Sequence, residues 1–213
     1  NGNNIKIDFS MGISKFPQDS SIFNQIMMNA DLALYTVKNS GKNNYAYFNA
    51  TMEHQLKQKN EVKEIIQIAL KNDGFKMVYQ PKVSLSAKKI VGYEALVRLK
   101  DYNLSPVTFI QIAEEYGLII PLGRMVTQKV IEQMAKWSST GVILKPVSIN
   151  FCALQLYDAT YIDFLFECLT TNKISPEMIQ IEITEHIFID NKDLAIRFMN
   201  QLREKGVGIA LDD

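Results

Sequence analysis

Four apolar runs in the second two-thirds of the chain each end in side chains that offer hard oxygen ligands. The runs cover residues 92–94, 147–150, 179–182 and 208–213, and the terminal ligands are Glu94, Asn150, Glu182 and the pair Asp212 and Asp213. Each run is typical of a buried strand, in which an ionised carboxylate is costly unless it is paired or bound to a metal. Together the runs predict one cation site, collected from neighbouring strands of a parallel sheet.

The donor types indicate which metal and which chemistry such a site would serve. All the ligands are oxygen donors, without histidine or cysteine, and this favours Mg²⁺, Mn²⁺ or Ca²⁺ over Zn²⁺. Adjacent aspartates at a strand end are typical of a site for two ions roughly 4 Å apart, which suits in-line attack on a phosphodiester. Taken singly, each residue is better explained as a hydrogen-bonded polar group, so the prediction depends on the whole set.

Three further side chains lie close to these ligands in the sequence. Arg98 follows Glu94 by four positions and shares its face of the strand, from which it would clamp a phosphate in bidentate fashion; a surface salt bridge is the alternative. Gln80 precedes a proline near the end of an earlier strand and would read a base edge, or else hydrogen-bond at the rim. Glu185 comes three positions after Glu182 and is interpreted as an anchor of the following loop.

The hydrophobic pattern around the ligands predicts an α/β fold. Runs 75–85 and 90–99 are separated by so few residues that the two strands must be antiparallel. Strands and helices then alternate, with helices predicted at 107–117, 122–138, 158–172 and 191–205. The steps of 32 residues from Asn150 to Glu182 and of 30 from Glu182 to Asp212 match the repeat of a parallel βα unit, whereas the 56 residues from Glu94 to Asn150 leave room for two helices. Barrels of this type place catalytic groups at the C-terminal strand ends.

The first third of the chain has a different organisation. Residues 5–13 alternate as a strand, a helix is predicted from 22 to 39, and a short strand follows at 45–48. The next helix, 52–71, is polar at first and apolar later, as expected of an inter-domain connector. We therefore expect a domain fragment at 1–50, a connector helix at 51–74 and a second domain at 75–213.

Composition and charge exclude several function classes. The chain of 213 residues is 47% hydrophobic and 22% charged, as in ordinary globular proteins. It has 23 basic and 23 acidic residues, so its charge predicts no DNA or RNA polymer as a partner. No apolar run is long enough to span a membrane and no signal peptide opens the chain, so a cytoplasmic location is expected, with a membrane anchor elsewhere left open.

The motifs around these residues resemble those of EAL domains, the cyclic di-GMP phosphodiesterases. The resemblance is carried by Gln-Pro at 80–81, Gly-Tyr-Glu-Ala-Leu-Val-Arg at 92–98, Ser-Ile-Asn at 148–150, Glu-Ile-Thr-Glu at 182–185 and Asp-Asp at 212–213. A helix segment over residues 106–119 is also similar. Mild departures occur at Leu99, Gln111 and Cys152, where tryptophan, proline and serine are common in the family.

The resemblance implies a (β/α)8 TIM-like barrel with an antiparallel first strand, of which only about five strands are present. It implies Mg²⁺ or Mn²⁺ in a two-metal site held by Glu94, Asn150, Glu182, Asp212 and Asp213. It also implies catalytic roles for Glu94, Glu185 and Asp213, and substrate contacts from Gln80 and Arg98. The substrate would be cyclic di-GMP, opened to linear pGpG by a homodimer. The family's water-positioning lysine and last metal-binding glutamate are expected beyond Asp213, so the 213-residue segment alone is expected to be inactive.

Residues 1–50 resemble the C-terminal part of a GGDEF (diguanylate cyclase) domain. The similar stretches are Ala-Asp-Leu-Ala-Leu-Tyr-Thr-Val-Lys at 30–38 and Ser-Gly-Lys-Asn at 40–43. The lysine that matches Lys38 contacts nucleotide phosphates in that family, although Lys38 taken alone is better explained as a solvated helix lysine. The GGDEF loop is absent from this segment, so no cyclase activity is assigned to it. An upstream sensory or GGDEF domain is expected in the full-length protein.

Two other functions remain open beside a metal-dependent phosphodiesterase. One is a cyclic di-GMP receptor that binds without hydrolysis, and the other is a regulatory interaction module with the connector helix as its input. Receptors that resemble EAL domains usually lack one or more metal ligands. Every ligand expected within this sequence is present, which favours the enzyme.

Overall fold

The structure is a computed structural model that describes residues 8–39, 43–184 and 187–212, except for the side chains of 187–191 and 212. Its helices and strands follow one another as β1 (Met11–Ile13), α1 (Phe23–Asn39), β2 (Tyr45–Tyr47), α2 (Ala50–Lys71), β3 (Phe75–Ser84), β4 (Lys89–Leu99), α3 (Pro106–Glu115), α4 (Ile119–Ser139), β5 (Val147–Phe151), α5 (Tyr161–Asn172), β6 (Ile179–Thr184), α6 (Ile187–Glu204) and β7 (Gly208–Asp212). Short 3-10 helices, Ala153–Tyr157 and Pro176–Met178, precede α5 and β6. The chain divides into two compact units, Asn1–Val62 and Lys63–Asp213, with the boundary inside α2.

The first unit contains a two-stranded parallel sheet, in which β1 pairs with β2, and α1 packs on it. Gly12 allows the strand and the helix to approach closely, because a Cβ at this position would lie 2.0 Å from the Ala30 carbonyl oxygen. Ala33 and Val37 on α1 are buried. The predicted strand–helix–strand order is confirmed. The first strand is shorter than predicted, because it begins only at Met11 and residues 8–10 are not part of it; residues 5–7 lie outside the described residues.

The second unit is built on one five-stranded sheet with the order β3-β4-β5-β6-β7. The first pair is antiparallel and the other three pairs are parallel, as the strand spacing predicts. The α/β class is therefore confirmed. The sheet is open in the part of the chain that the structure describes, with β3 and β7 at its edges, so it forms no closed barrel there.

The register of the parallel strands shifts the ligand positions toward the C-terminal edge of the sheet from β4 to β7. Glu94 pairs with Ser148, which precedes Asn150 by two residues. Asn150 is level with Glu182, and Asp212 lies two residues beyond the partner of Glu182 on β7. This stagger is what tilted strands produce in barrel-like sheets.

The sheet is strongly curved, as a contact between distant strands requires. Lys82 of β3 forms an ion pair with Glu182 of β6, although β4 and β5 lie between these strands. In a flat sheet the two strands alone would be about 14 Å apart, and the two residues are also offset along the strands, so their side chains would not meet. The face that carries the ligands must therefore be concave.

The four predicted helices of the second unit are present, with shifted starts. Helix α4 begins at Ile119 instead of residue 122, and α6 begins at Ile187 instead of residue 191. Asp158 is not the N-cap of the helix predicted from that residue, because α5 begins only at Tyr161 and Thr160 is its N-cap. The Asp158 carboxylate accepts two hydrogen bonds of 2.6 Å from Arg124 and one of 3.3 Å from the backbone nitrogen of Thr160. None of the helices in the described residues is long and apolar enough to cross a membrane.

Candidate active site

Glu94 lies in the middle of its strand. β4 continues for several residues beyond it, to Leu99, so the prediction that this ligand stands at the far end of a strand is wrong. The reason is the antiparallel partner: β3 pairs with β4 from Ser84 to Phe75, whereas β5 pairs only with residues 93–95. Glu94 thus lies at the centre of the short stretch where β4 has a strand on each side.

Gly92 sets the start of the pairing between β4 and β5. A Cβ on Gly92 would lie 2.9 Å from the carbonyl oxygen of Pro146. That same oxygen accepts a hydrogen bond of 2.9 Å from the backbone nitrogen of Tyr93. A larger residue at position 92 would push the two strands apart, so this glycine fixes the register that brings Asn150 within reach of Glu94.

Asn150 and Glu94 are in direct contact. The side-chain nitrogen Nδ2 of Asn150 donates a hydrogen bond of 2.8 Å to Oε1 of Glu94. The two residues come from adjacent parallel strands, and both present oxygen donors to the concave face of the sheet. The structure therefore brings this pair of predicted ligands together, while their role as ligands stays a prediction.

Glu182 is buried, with an exposed fraction of 8%, and it takes part in a polar network. Its Oε1 pairs with the ammonium group of Lys82, which also donates a hydrogen bond of 2.7 Å to Oγ of Ser148. The Ser148 hydroxyl in turn donates to Oε1 of Gln180 over 2.8 Å. Every one of these polar groups has a partner, so the network satisfies the charge of Glu182 within the sheet.

A cavity of about 300 Å³ opens beside the C-terminal ends of β4, β5 and β6. Arg98, Asn150 and Glu182 are among the residues that line it. Nη1 of Arg98 donates a hydrogen bond of 2.9 Å to the carbonyl oxygen of Val97. Within the described residues no carboxylate pairs with Arg98, so its other N–H groups are available to a bound anion.

Gln80 is level with Glu94 across the antiparallel pair of β3 and β4. Residues that stand directly opposite one another in such a pair share a face of the sheet, so Gln80 lies on the concave face too. It is exposed, and it does not line the cavity that contains Arg98. Its predicted contact with a base stays a prediction.

The described part of the chain does not include the side chains of three predicted site residues. Glu185 and Asp213 lie outside the described residues, and so does the side chain of Asp212. The backbone of Asp212 ends β7 and pairs with Thr184 at the end of β6. The backbone of Asp212 therefore lies at the C-terminal edge of the sheet, next to the end of β6.

The 3-10 helix after β5 forms another wall of the cavity and is held against α4. Gln155 is buried, and its Oε1 accepts a hydrogen bond of 3.0 Å from the backbone nitrogen of Cys152. A Cβ on Gly123 of α4 would lie only 1.9 Å from Nε2 of Gln155. Burial raises the pKa of the Cys152 thiol to about 11, so this thiol stays protonated and unreactive near neutral pH.

The donor chemistry of the concave face fits a hard divalent cation. Glu94, Asn150 and Glu182 offer carboxylate and amide oxygens, which Mg²⁺ and Mn²⁺ prefer. No group of three His, Cys, Asp or Glu side chains that could hold a metal occurs in the described residues. Two carboxylates and one amide are described there, and Asp212 and Asp213 would supply the remaining carboxylates.

The sequence prediction missed the polar residues behind the ligands. Ser148 and Gln180 precede Asn150 and Glu182 by two positions each, and Lys82 follows Gln80 by two. Polar side chains at the same parity as the ligands, inside otherwise apolar strands, were the available signal. The lysine itself could not have been paired with Glu182, because that contact depends on the curvature of the sheet.

The family assignment agrees with this geometry. The EAL domain family matches residues 63–213, the range of the second compact unit. The chain belongs to the EAL-domain family. This EAL chain is 30% identical over 212 residues to MucR of Pseudomonas aeruginosa, named a bifunctional diguanylate cyclase/cyclic di-GMP phosphodiesterase, with 98% of this chain and 31% of that protein covered. It is 34% identical over 207 residues to the cyclic di-GMP phosphodiesterase PdeR of Escherichia coli, with 96% and 31% covered.

Solved EAL structures share the same fold. The PaMucR phosphodiesterase in complex with c-di-GMP matches this chain with a TM-score of 0.67 at 29% identity, and the match covers 72% of this chain and 63% of that one. The chain spans about a third of the length of MucR and of PdeR. The narrower range predicted for the EAL portion, residues 75–213, lies within the matched range.

Proposed function

We propose that the full-length protein containing this chain is a cyclic di-GMP phosphodiesterase that depends on Mg²⁺ or Mn²⁺ and releases linear pGpG. The observation that carries the proposal is the contact of Glu94 with Asn150, beside a cavity lined by Asn150, Glu182 and Arg98. A hard-cation donor set next to an arginine that has no carboxylate partner among the described residues is suited to a phosphodiester. Further support comes from PdeR, which is named a cyclic di-GMP phosphodiesterase, and from the MucR structure, which contains c-di-GMP.

Some residues of the concave face would bind the metal, and others would bind the substrate. Glu94, Asn150, Glu182, Asp212 and Asp213 would hold one or two metal ions. When bound, these ions would supply the positive charge that activates water and stabilises the departing oxygen. Glu94 and Asp213 would act at the reacting phosphate through this site, and Glu185 would fix the loop that follows β6.

The substrate would be held by groups on β3 and β4. Arg98 lines the cavity and has N–H groups available, so it would bind a phosphate of cyclic di-GMP in bidentate fashion. Gln80 is exposed on the same face and would hydrogen-bond a guanine edge. These contacts would orient the scissile phosphodiester toward Glu94 and Asn150.

The rest of the chain would place this site in a larger signalling protein. Residues 1–50 would be the C-terminal part of a GGDEF domain, 51–74 a connector helix, and 75–213 the N-terminal portion of the EAL domain. The match to MucR covers 98% of the chain, including the first unit, and its name includes diguanylate cyclase. We further propose a homodimer and an upstream sensory or GGDEF domain.

The proposal is tested by substitution of Glu94 in the full-length protein. Glu94→Gln keeps the size of the side chain and removes the carboxylate, so we expect kcat/KM for cyclic di-GMP to fall by at least about a hundredfold. Conversion of cyclic di-GMP to pGpG is followed by anion-exchange chromatography with Mg²⁺, with Mn²⁺ and with EDTA. The wild type should be active with either metal and inactive with EDTA.

The control is Glu167→Gln, which removes an exposed carboxylate from α5 and should leave turnover unchanged. Undiminished turnover in Glu94→Gln would rule out the metal site. If the wild type binds cyclic di-GMP in calorimetry but does not convert it with either metal, the protein is a receptor and the phosphodiesterase proposal fails.

A further inference from the structure

Lys82 places a positive charge directly against the candidate metal site. Its ammonium group pairs with Oε1 of Glu182 and donates a hydrogen bond of 2.7 Å to Oγ of Ser148. We propose that Lys82 is a positioning residue with two effects. Its ammonium group neutralises the charge of Glu182 in the metal-free protein, and it lowers the affinity of the site for its metal. This inference rests on the proposed function, because it assumes that Glu182 is a metal ligand.

The fold provides a path for this side chain. Lys82 stands opposite Gly92 on β4, and Gly208 is level with Gln180 on β7. Lys82, Gly92, Ser148, Gln180 and Gly208 line one small cavity. Because Gly92 has no side chain, the lysine has room to pass over β4 toward β6.

The hydrogen bonds hold the ammonium group in place. The Ser148 hydroxyl gives its proton to Gln180 over 2.8 Å and so presents an oxygen lone pair to Lys82. Ser148 is buried, with an exposed fraction of 2%, which limits its other choices of partner. The ammonium therefore has two fixed acceptors, Ser148 and Glu182, and its position is determined by the sheet.

The charge has two consequences that a merely space-filling side chain would not have. Without a metal, Glu182 is a buried carboxylate, and removal of its partner would leave an uncompensated charge. If Glu182 serves as a metal ligand, the ammonium on the same carboxylate would repel the bound divalent cation. Lys82 should therefore stabilise the metal-free protein and weaken metal binding at the same time.

The test uses three variants of the full-length protein. Lys82→Met removes the charge at similar length, Lys82→Arg keeps it, and Lys89→Met removes an exposed lysine from the start of β4 as a matched control. Mn²⁺ binding is measured by isothermal titration calorimetry, and Tm is measured in EDTA. These readouts do not depend on turnover.

We expect Lys82→Met to lower Tm in EDTA by at least about 4 °C and to lower the Kd for Mn²⁺ about tenfold. Lys82→Arg and Lys89→Met should bind Mn²⁺ like the wild type. If Lys82 contributed only to packing, Lys82→Met would raise the Kd for Mn²⁺, because a distorted site binds Mn²⁺ more weakly. Unchanged or weaker Mn²⁺ binding by Lys82→Met would overturn the inference.

A double substitution keeps the test decisive if Lys82→Met folds poorly. Lys82→Met with Glu182→Gln removes both charges and should recover most of the lost Tm in EDTA; failure to recover it would also overturn the inference. Failure of the proposed function has a different signature. In that case the wild type and Glu94→Gln would not differ in Mn²⁺ binding, and the inference about Lys82 would fail too.

Discussion

Tyr161 is fully buried, and its hydroxyl group is hydrogen-bonded to Oγ1 of Thr127 over 2.8 Å. The two residues join α5 to α4 behind the candidate site. Burial disfavours the phenolate, and it raises the pKa of Tyr161 to about 12. Burial likewise raises the pKa of Tyr79 to about 12 and that of Cys152 to about 11.

These raised pKa values predict a loss of stability at alkaline pH. The groups are neutral in the folded chain and ionise more easily once it unfolds. Their contribution to the free energy of unfolding is therefore complete below pH 9 and is lost between about pH 9 and 12. For Tyr161, with a pKa of about 12 against 10.0 for the free group, the loss is about 1 kcal/mol at pH 10.5. Urea unfolding at pH 8.5 and 10.5, followed by the fluorescence of Trp137, measures it.

Tyr161→Phe should reduce this pH dependence by about 1 kcal/mol, although it also lowers stability at pH 8.5 because Thr127 loses its partner. Tyr157→Phe is the control, since Tyr157 is 60% exposed. Tyr157→Phe should leave the difference in unfolding free energy between pH 8.5 and pH 10.5 unchanged. An identical pH dependence in Tyr161→Phe and the wild type would refute the assignment of Tyr161 as one of the groups responsible.

At the scale of elements, the contact between α4 and the 3-10 helix after β5 controls the shape of the cavity. Gly123 on α4 leaves the space that Gln155 fills, and Gln155 holds the backbone nitrogen of Cys152. Arg124, the next residue on α4, binds the Asp158 carboxylate with two hydrogen bonds of 2.6 Å. Two consecutive residues of one helix therefore fix the segment that follows the Asn150 strand.

Gly123→Ala is expected to destabilise the chain by about 1–3 kcal/mol, because the new Cβ would displace Gln155. A loss of stability would be informative, because helix propensity alone favours alanine over glycine by about 1 kcal/mol. The free energy of unfolding in urea measures the effect. In a Gln155→Ala background the same substitution should be neutral or stabilising; an equal loss in both backgrounds would show that the contact with Gln155 is not the cause.

The elements of the second unit could be predicted from sequence to different degrees. The antiparallel first pair followed from the short connection between β3 and β4, and the parallel strands followed from their spacing. The position of Glu94 within β4 did not, because strand length there is set by pairing with β3. The start of α5 was also missed: the helix begins at Tyr161, and Asp158 lies before it, where it binds Arg124.

At the scale of the whole molecule, the candidate site depends on curvature that no local pattern contains. The ligand types and their order were visible in the sequence, whereas the contact of Lys82 with Glu182 arises only when a five-stranded sheet bends. The same limit applies to the division of the chain. Hydrophobic periodicity located α2, but the boundary between Val62 and Lys63 follows from which residues pack together.

Helices α1 and α4 differ in how many of their residues are buried, and this predicts different local stabilities. Three residues of α1 are buried, against seven of α4. Phe23 and Met28 on α1 are 75% and 63% exposed. Because opening free energies follow buried contacts, we expect backbone amides of α1 to exchange with deuterium at least about tenfold faster than those of α4.

Hydrogen–deuterium exchange with mass spectrometry on the 213-residue chain tests this difference, with peptides from α1 and α4 compared at one pH. Low concentrations of urea should raise exchange in α1 before α4, because α1 can open without disrupting the five-stranded sheet. The Gly123→Ala variant provides an internal control: it should speed exchange in α4 and leave α1 unchanged. Equal protection of the two helices, or their joint loss at one urea concentration, would show that the chain unfolds as a single cooperative body.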